Sequence, residues 1–330
     1  MSLAAPDAVE TLARRHRLRP LEALPWLLAV ACYFLVPSYL ALGAQILIMT
    51  LFALSLDLIL GFAGIVTLGQ AAFFGVGAYA AGLLGAHGWS EPLSGLVVAA
   101  VAAGALGAIT GFIVLRTEGL TLLMLTLMIT VMVQEAANKA GAITGGADGL
   151  QGITIAPVLG LFRFDIFGRT AYLYSLAVLF LGWLAIRAIV HSPFGRSLTG
   201  IRENVARMHA IGSPVRRRQL IAYTVAAALS GVAGALLTQT TQFVALEVLG
   251  FGRSGSVLIM LILGGVGRLY GAFIGAPLYM LAQDRLAALD PAYWFLPIGI
   301  LLVAVVMLAR GGILGLCDRM LALARRARRP

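Results

Sequence analysis

Lysine is almost missing from this chain. Of its 24 basic residues only Lys139 is a lysine, and it lies between Asn138 and Ala140. A phosphate-cradling Walker loop needs Gly-Lys-Ser/Thr, so the chain holds no such motif and any nucleotide must be hydrolysed by a partner. Cysteine is nearly as scarce. Cys32 and Cys317 stand far apart, in or beside apolar runs, which excludes a disulfide framework and a cysteine metal site. His16, His87, His191 and His209 are scattered without metal-ligand spacing, and no nucleophile–base arrangement stands out. Charge is thin as well, at 12% of residues against roughly 25% in soluble domains. What remains is apolar: 60% of 330 residues, with a mean hydropathy of +0.95. Such a composition belongs in a bilayer.

Apolar runs long enough to span, or nearly so, occur at about 24–38, 40–60, 63–86, 93–115, 119–137, 171–190, 220–240, 255–283 and 292–309. A crossing helix needs roughly 20 residues, and membrane barrels show short alternating segments instead. The expected fold is therefore all-α, a polytopic transmembrane helical bundle of about 8–10 membrane segments. Ala29-Val30-Ala31 resembles a signal cleavage site. The apolar character runs on past it, so 24–38 reads as a retained span.

The net charge of +10 comes mostly from three arginine blocks: four in 14–19, seven in 187–218 and six in 310–329. No aromatic-interleaved strip accompanies them, which argues against nucleic-acid binding. Retention of basic residues on the cytoplasmic side accounts for the clustering. With 14–19 inside, six spans return the chain to the inside at the second block. Nine simple crossings would leave Arg325, Arg326, Arg328 and Arg329 outside. The conflict disappears if 255–283 is broken or re-entrant, entering and returning to one side. Gly264-Gly265-Val266-Gly267-Arg268 lies at its middle, where glycine permits unusual backbone. The expected organisation is a cytoplasmic tail at 1–23, a transmembrane bundle at 24–309 with an outside loop at 138–170 and a cytoplasmic segment at 191–218, and a basic cytoplasmic tail at 310–330.

The 191–218 segment carries the most information. Pro193 and Gly195 break the preceding span, and Gly212, Ser213 and Pro214 close the segment. Helical spacing between them sets Leu198, Ile201, Val205 and Met208 along one face. A short amphipathic helix of this kind suits a groove on a soluble partner or a flat seat on anionic lipid. Asp57, Glu135 and Glu247 fall within or at the ends of spans, where carboxylates mark pathways by default; Glu135 and Glu247 read as lying near outer ends. Gly61, Gly64, Gly69, Gly75, Gly77 and Gly82 permit close helix packing or an interrupted helix beside the route. The Gly264, Gly265 and Gly267 cluster is a candidate hinge, and Gln70 a candidate pathway residue.

Gly61-Phe62-Ala63-Gly64, Leu68-Gly69-Gln70-Ala71-Ala72-Phe73-Phe74-Gly75, the 126–135 run with Thr144-Gly145-Gly146 and Asp148-Gly149-Leu150, the 195–212 segment, Ala228-Leu229-Ser230-Gly231-Val232-Ala233-Gly234, Phe243 and Gly264-Gly265-Val266-Gly267 occur in order. This set resembles permease subunits of branched-chain amino acid ABC importers over roughly 40–285. The resemblance implies a coupling helix at 195–212, matched at Gly195, Arg196, Ile201, Arg202, Glu203, Asn204, Ala206 and Gly212. It also implies a second, homologous permease, two ABC ATPases that carry ATP and Mg, and an extracytoplasmic substrate-binding protein. The chain itself would hold no cofactor. Asp57 departs from the family, where Asn is common, and Met208-His209-Ala210 interrupts a stretch of small residues.

The resulting expectation is a non-enzymatic transport subunit of a bacterial inner membrane, multi-pass, with both termini cytoplasmic. Its cargo would be branched-chain amino acids or a related small polar solute such as urea or short amides. An autonomous channel or secondary transporter is the rival reading, and would require a dedicated ion site at mid-depth.

Overall fold

The computed structural model describes residues 24–157, 162, 168–289, 295–308 and 311–315. The expected tail at 1–23 and, apart from 311–315, the one at 310–330 lie outside the described residues, as do parts of 138–170. Among the described residues the fold is helical throughout, with one isolated antiparallel bridge between Leu150 and Val244.

These residues form thirteen α-helices. They are α1 (Leu24–Leu35), α2 (Leu40–Asp57), α3 (Gln70–Ala86), α4 (Pro92–Val114), α5 (Gly119–Lys139), α6 (Gly141–Thr144), α7 (Arg169–His191), α8 (Pro193–Glu203), α9 (Val205–Ala210), α10 (Val215–Thr241), α11 (Phe251–Gly264), α12 (Gly271–Leu289) and α13 (Phe295–Leu308). Helix α2 continues into a π-helical turn over Leu58–Phe62. Five of these helices are long and apolar enough to cross a membrane: α2 with its π turn, α4, α5, α7 and α10. Helices α1, α3 and α11 are apolar but shorter.

Helix α2 is the central pillar, with 78% of its most apolar window buried, against 17% for α5 at the periphery. Lipid tails are as apolar as leucine, so helices associate in a bilayer by close contact rather than by escape from water. A Cβ at Gly234 would strike the backbone of Phe74, and one at Gly77 the backbone of Gly231, which lets α3 and α10 touch main chain to main chain. The hydroxyls of Thr50, Thr110, Thr130 and Thr224 bond back to carbonyls in their own helices, the local solution available to a buried threonine. Helix α1 docks through Trp26, edge-on to Phe180 of α7 at 5.0 Å and to Phe273 of α12 at 5.2 Å.

The expected break within 255–283 is present. Helices α11 and α12 form a tight antiparallel hairpin: Gly264 abuts Gly271, Gly275 abuts Met260, and the Tyr279 hydroxyl donates to Ser256 Oγ at 3.2 Å. The turn needs Gly265 and Gly267, whose φ angles are 118° and 77°. A second interruption falls at 63–69. The run expected as one span over 63–86 begins its helix only at Gln70. Bare backbone within the bilayer must find partners in the protein, and here side chains supply them. Leu68 N–H donates to Thr126 Oγ1 (3.2 Å), Gly69 N–H to Thr67 Oγ1 (3.0 Å) and Ala71 N–H to Ser254 Oγ (2.9 Å).

Candidate functional site

At one end of the bundle the chain leaves α7 through a sharp turn. Ser192 caps α8, its Oγ accepting from Gly195 N–H at 3.2 Å. A side chain at Gly195 would strike the carbonyls of Ile189 and Val190, so the turn requires glycine there. Helix α8 then lies across the bundle end with Leu198 and Ile201 fully buried in a cluster with Leu58, Ile59, Val215 and Tyr223. Of the four residues expected on the amphipathic stripe, Leu198, Ile201 and Met208 pack on the bundle and Val205 does not. Asn204 leaves helical geometry (φ −159°, ψ 101°), ending α8 and capping α9 by accepting from Arg207 N–H at 2.9 Å. Val205 is thereby turned outward, while Met208 stays half-buried against Gly200. The reason is local: Asn competes for backbone groups and prefers caps to helix interiors.

The candidate coupling residues separate into two sets. Gly195 and Ile201 are buried and seat the helix. Arg196, Glu203, Asn204, Ala206 and Gly212 are exposed, and Gly212 closes the segment in the left-handed region (φ 77°). Arg202 belongs to neither set: part of its surface is exposed, yet its tip reaches into the bundle. The guanidinium donates to the carbonyl of Gly61 in the π turn of α2, and the stem packs on Gly64, whose own φ of 72° turns the chain there. Asp57, one turn before Gly61, is 1% exposed, and its Oδ1 accepts from Gly267 N–H at 2.7 Å. Gly61 fits between Asp57 and Gly267 with no room for a Cβ. Helix α8, the end of α2 and the 265–270 turn therefore meet in one small knot. Beside it a cleft of about 380 Å³ opens between Val205, His209 and Arg216 on one side and Ile65, Val66 and Arg116 on the other.

The remaining candidates lie elsewhere. Gln70 is buried, donating from Nε2 to Ser55 Oγ at 3.0 Å and accepting at its backbone carbonyl from Ser230 Oγ at 3.2 Å. Glu135, near the far end of α5, is exposed and pairs with Lys139 at 3.5 Å. Glu247 is exposed too. After α10 the chain bridges Val244 to Leu150, then dives inward as a 3-10 turn over Leu246–Leu249 that brings Leu249 against Gly75 in α3. Sequence reasoning missed this dive, and with it Arg253, which lies half-buried in the first turn of α11. The available signal was an arginine outside the three basic blocks, between a Gly-rich stretch and a long apolar run.

Comparison with known proteins agrees with this geometry. Residues 38–307 match the family model described as branched-chain amino acid transport system / permease component. The chain is 29% identical over 314 residues to the high-affinity branched-chain amino acid transport system permease protein LivM of Escherichia coli (strain K12), covering 87% of this chain and 72% of that one. It is 23% identical over 269 residues to a probable LivM of Methanocaldococcus jannaschii, covering 70% and 76% respectively. A shorter match, 30% over 146 residues and 39% of this chain, links it to the autoinducer 2 import system permease protein LsrC of Klebsiella pneumoniae. No solved structure matches. A multi-pass helical bundle, interrupted at depth and without its own nucleotide loop, thus belongs to the family of branched-chain amino acid transport system permease components, the non-enzymatic membrane part of ABC transporters.

Proposed function

We propose that this chain is one of two homologous permease subunits of a bacterial inner-membrane importer, passing branched-chain amino acids or a related small polar solute. The observation that carries the reading is the α8–α9 segment. Its inner side is locked onto the bundle through Leu198, Ile201 and Arg202, while Arg196, Glu203, Asn204 and Ala206 face outward. A surface presented so rigidly suits a groove on a motor subunit better than a lipid headgroup layer. One of two ATPases, carrying ATP and Mg, docks there from the cytoplasm, the side to which the arginine blocks assign both termini. An extracytoplasmic binding protein delivers cargo to the opposite end.

Closure of the ATPases pushes on α8. Arg202 passes that push to Gly61, and the bond from Gly267 to Asp57 carries it to the α11–α12 hairpin, so access changes side by rigid-body motion of elements that already touch. Branched-chain amino acids are favoured as cargo over the LsrC type because the LivM matches span most of both chains. The test is co-expression with neighbouring ATPase, permease and binding-protein genes. The wild type should co-purify with the ATPases, and combined Arg196→Glu and Glu203→Arg should abolish that association with the permease still folded. Uptake by this chain alone in ATP-free liposomes would instead establish an autonomous channel or secondary transporter.

A further inference from the structure

The inward dive of 242–250 places two charged side chains where a membrane protein seldom carries them. Depth can be measured from both ends of the bundle. Gly85 of α3 meets the 150–155 loop, its carbonyl accepting from Thr154 Oγ1 at 3.2 Å, and Leu249 packs on Gly75 ten residues further in. At 1.5 Å per residue that is about 15 Å, half of a hydrocarbon core of roughly 30 Å. From the other end, Ser254 precedes Gly264 at the hairpin turn by ten residues of α11, again about 15 Å. Glu247 and Arg253 flank this level on adjacent turns, linked by Gly250 N–H donating to Glu247 O (2.9 Å) and Arg253 N–H to Gly250 O (3.0 Å).

This level is open on one side. Phe251 is 48% exposed, Glu247 is exposed, and a Cβ at Gly252 or Gly255 would meet nothing within 4 Å. The Gln134 amide of α5 lies 3.8 Å from where a Cβ at Gly250 would stand. The hairpin register, with Ser256 beside Tyr279, puts Gln283 of α12 near the level of Arg253, and exposed Asp284 and Arg285 come next in the chain. An exposed carboxylate at mid-depth is costly against lipid and marks a hydrated route.

We infer that Glu247 and Arg253 form a mid-depth binding site for an α-amino acid, the guanidinium of Arg253 taking the carboxylate and the carboxylate of Glu247 taking the ammonium group. The planar guanidinium fork matches a carboxylate in two parallel bonds, and the exposed ring of Phe251 offers an apolar surface to an aliphatic side chain. The site rests on the importer reading for its setting and adds to it the residues that read the two charges of the cargo. A neutral solute such as urea presents neither charge and gains nothing from them.

The test uses the assembled importer in nanodiscs, with Cys32→Ser and Cys317→Ser as background. Gly255→Cys should react with a charged methanethiosulfonate reagent, and L-leucine should slow that reaction severalfold. In proteoliposomes, Arg253→Gln and Glu247→Gln should each lower L-leucine uptake at least about tenfold, the order expected for losing a charge-assisted hydrogen bond. Arg253→Lys should restore part of it. Failure of the Gly255→Cys thiol to react would mean that lipid covers this face, and leucine uptake by Arg253→Gln within twofold of wild type would mean that the charge is not read; either overturns the site. So does loss of ATPase association in Arg253→Gln without rescue by Lys, which would make the residue structural. A wild-type complex that holds its ATPases but moves urea and not leucine leaves the importer reading standing and overturns the site. Absence of ATPase association, with leucine still protecting the Gly255→Cys thiol, does the reverse.

Discussion

Arg202 donates its guanidinium hydrogen to the carbonyl of Gly61, 141 residues earlier in the chain. The carbonyl is available because the π turn over Leu58–Phe62 ends the helix, and the last carbonyls of a helix have no donor within it. This bond fixes α8 to the central pillar of the bundle.

Arg202→Gln should therefore separate two quantities that a docking contact would change together. ATPase subunits should still co-purify, because the Arg202 guanidinium points into the bundle, while solute moved per ATP hydrolysed should fall several-fold. Transport stoichiometry in proteoliposomes measures this, and equal loss of association and transport would assign Arg202 to the ATPase interface instead.

Asp57→Asn should be nearly silent in stability. The amide oxygen of Asn can accept from Gly267 N–H as Asp57 Oδ1 does at 2.7 Å. Asp57→Leu removes the acceptor and strands a buried N–H, which costs about 1–3 kcal/mol. Thermal unfolding in detergent should rank wild type and Asn together, well above Leu.

Leu198→Ala and Arg196→Glu act on opposite sides of one helix. Leu198 is fully buried, and its truncation should cost about 2–5 kcal/mol, loosening α8 so that protease cuts near 203–212 in the isolated subunit. Arg196 is exposed, and its reversal should leave the protease pattern unchanged while weakening ATPase capture.

Gly234→Ala should fold poorly, since its Cβ would enter the backbone of Phe74 in α3, whereas at Gly299 in α13 nothing lies within 4 Å. The overpacked variant should lose about 1–3 kcal/mol, and Gly299→Ala should melt close to wild type. Fluorescence-detected size exclusion after heating would compare the pair.

Much of this architecture was legible in the order of residues. Long apolar runs announced α2, α4, α5, α7 and α10, because a crossing helix satisfies its backbone within itself and needs no distant partner. The hairpin turn was legible for a related reason: Gly264, Gly265 and Gly267 sit together in an otherwise continuous run, and the arginine blocks demanded an even number of crossings. Expectation failed where a partner far along the chain decides. Hydropathy could not show the course of 242–250, because it is set by the bridge of Val244 to Leu150 and by Leu249 against Gly75. Nor does composition show that Asn204 splits the amphipathic segment, since a single cap outweighs a two-turn apolar stripe. Arg202 was picked out by its setting, but its inward contact depends on a π turn that no periodicity announces.

The bond from Ala71 N–H to Ser254 Oγ bears on the timing of synthesis. The first residues of α3 emerge 183 positions ahead of the hydroxyl that completes their hydrogen bonding. The nascent helix must wait, held by a chaperone, a water-filled insertase or neighbouring helices of its own chain, until α11 arrives. A truncation that stops before Ser254 should therefore leave α3 exposed to quality-control proteases even though every residue of α3 is present.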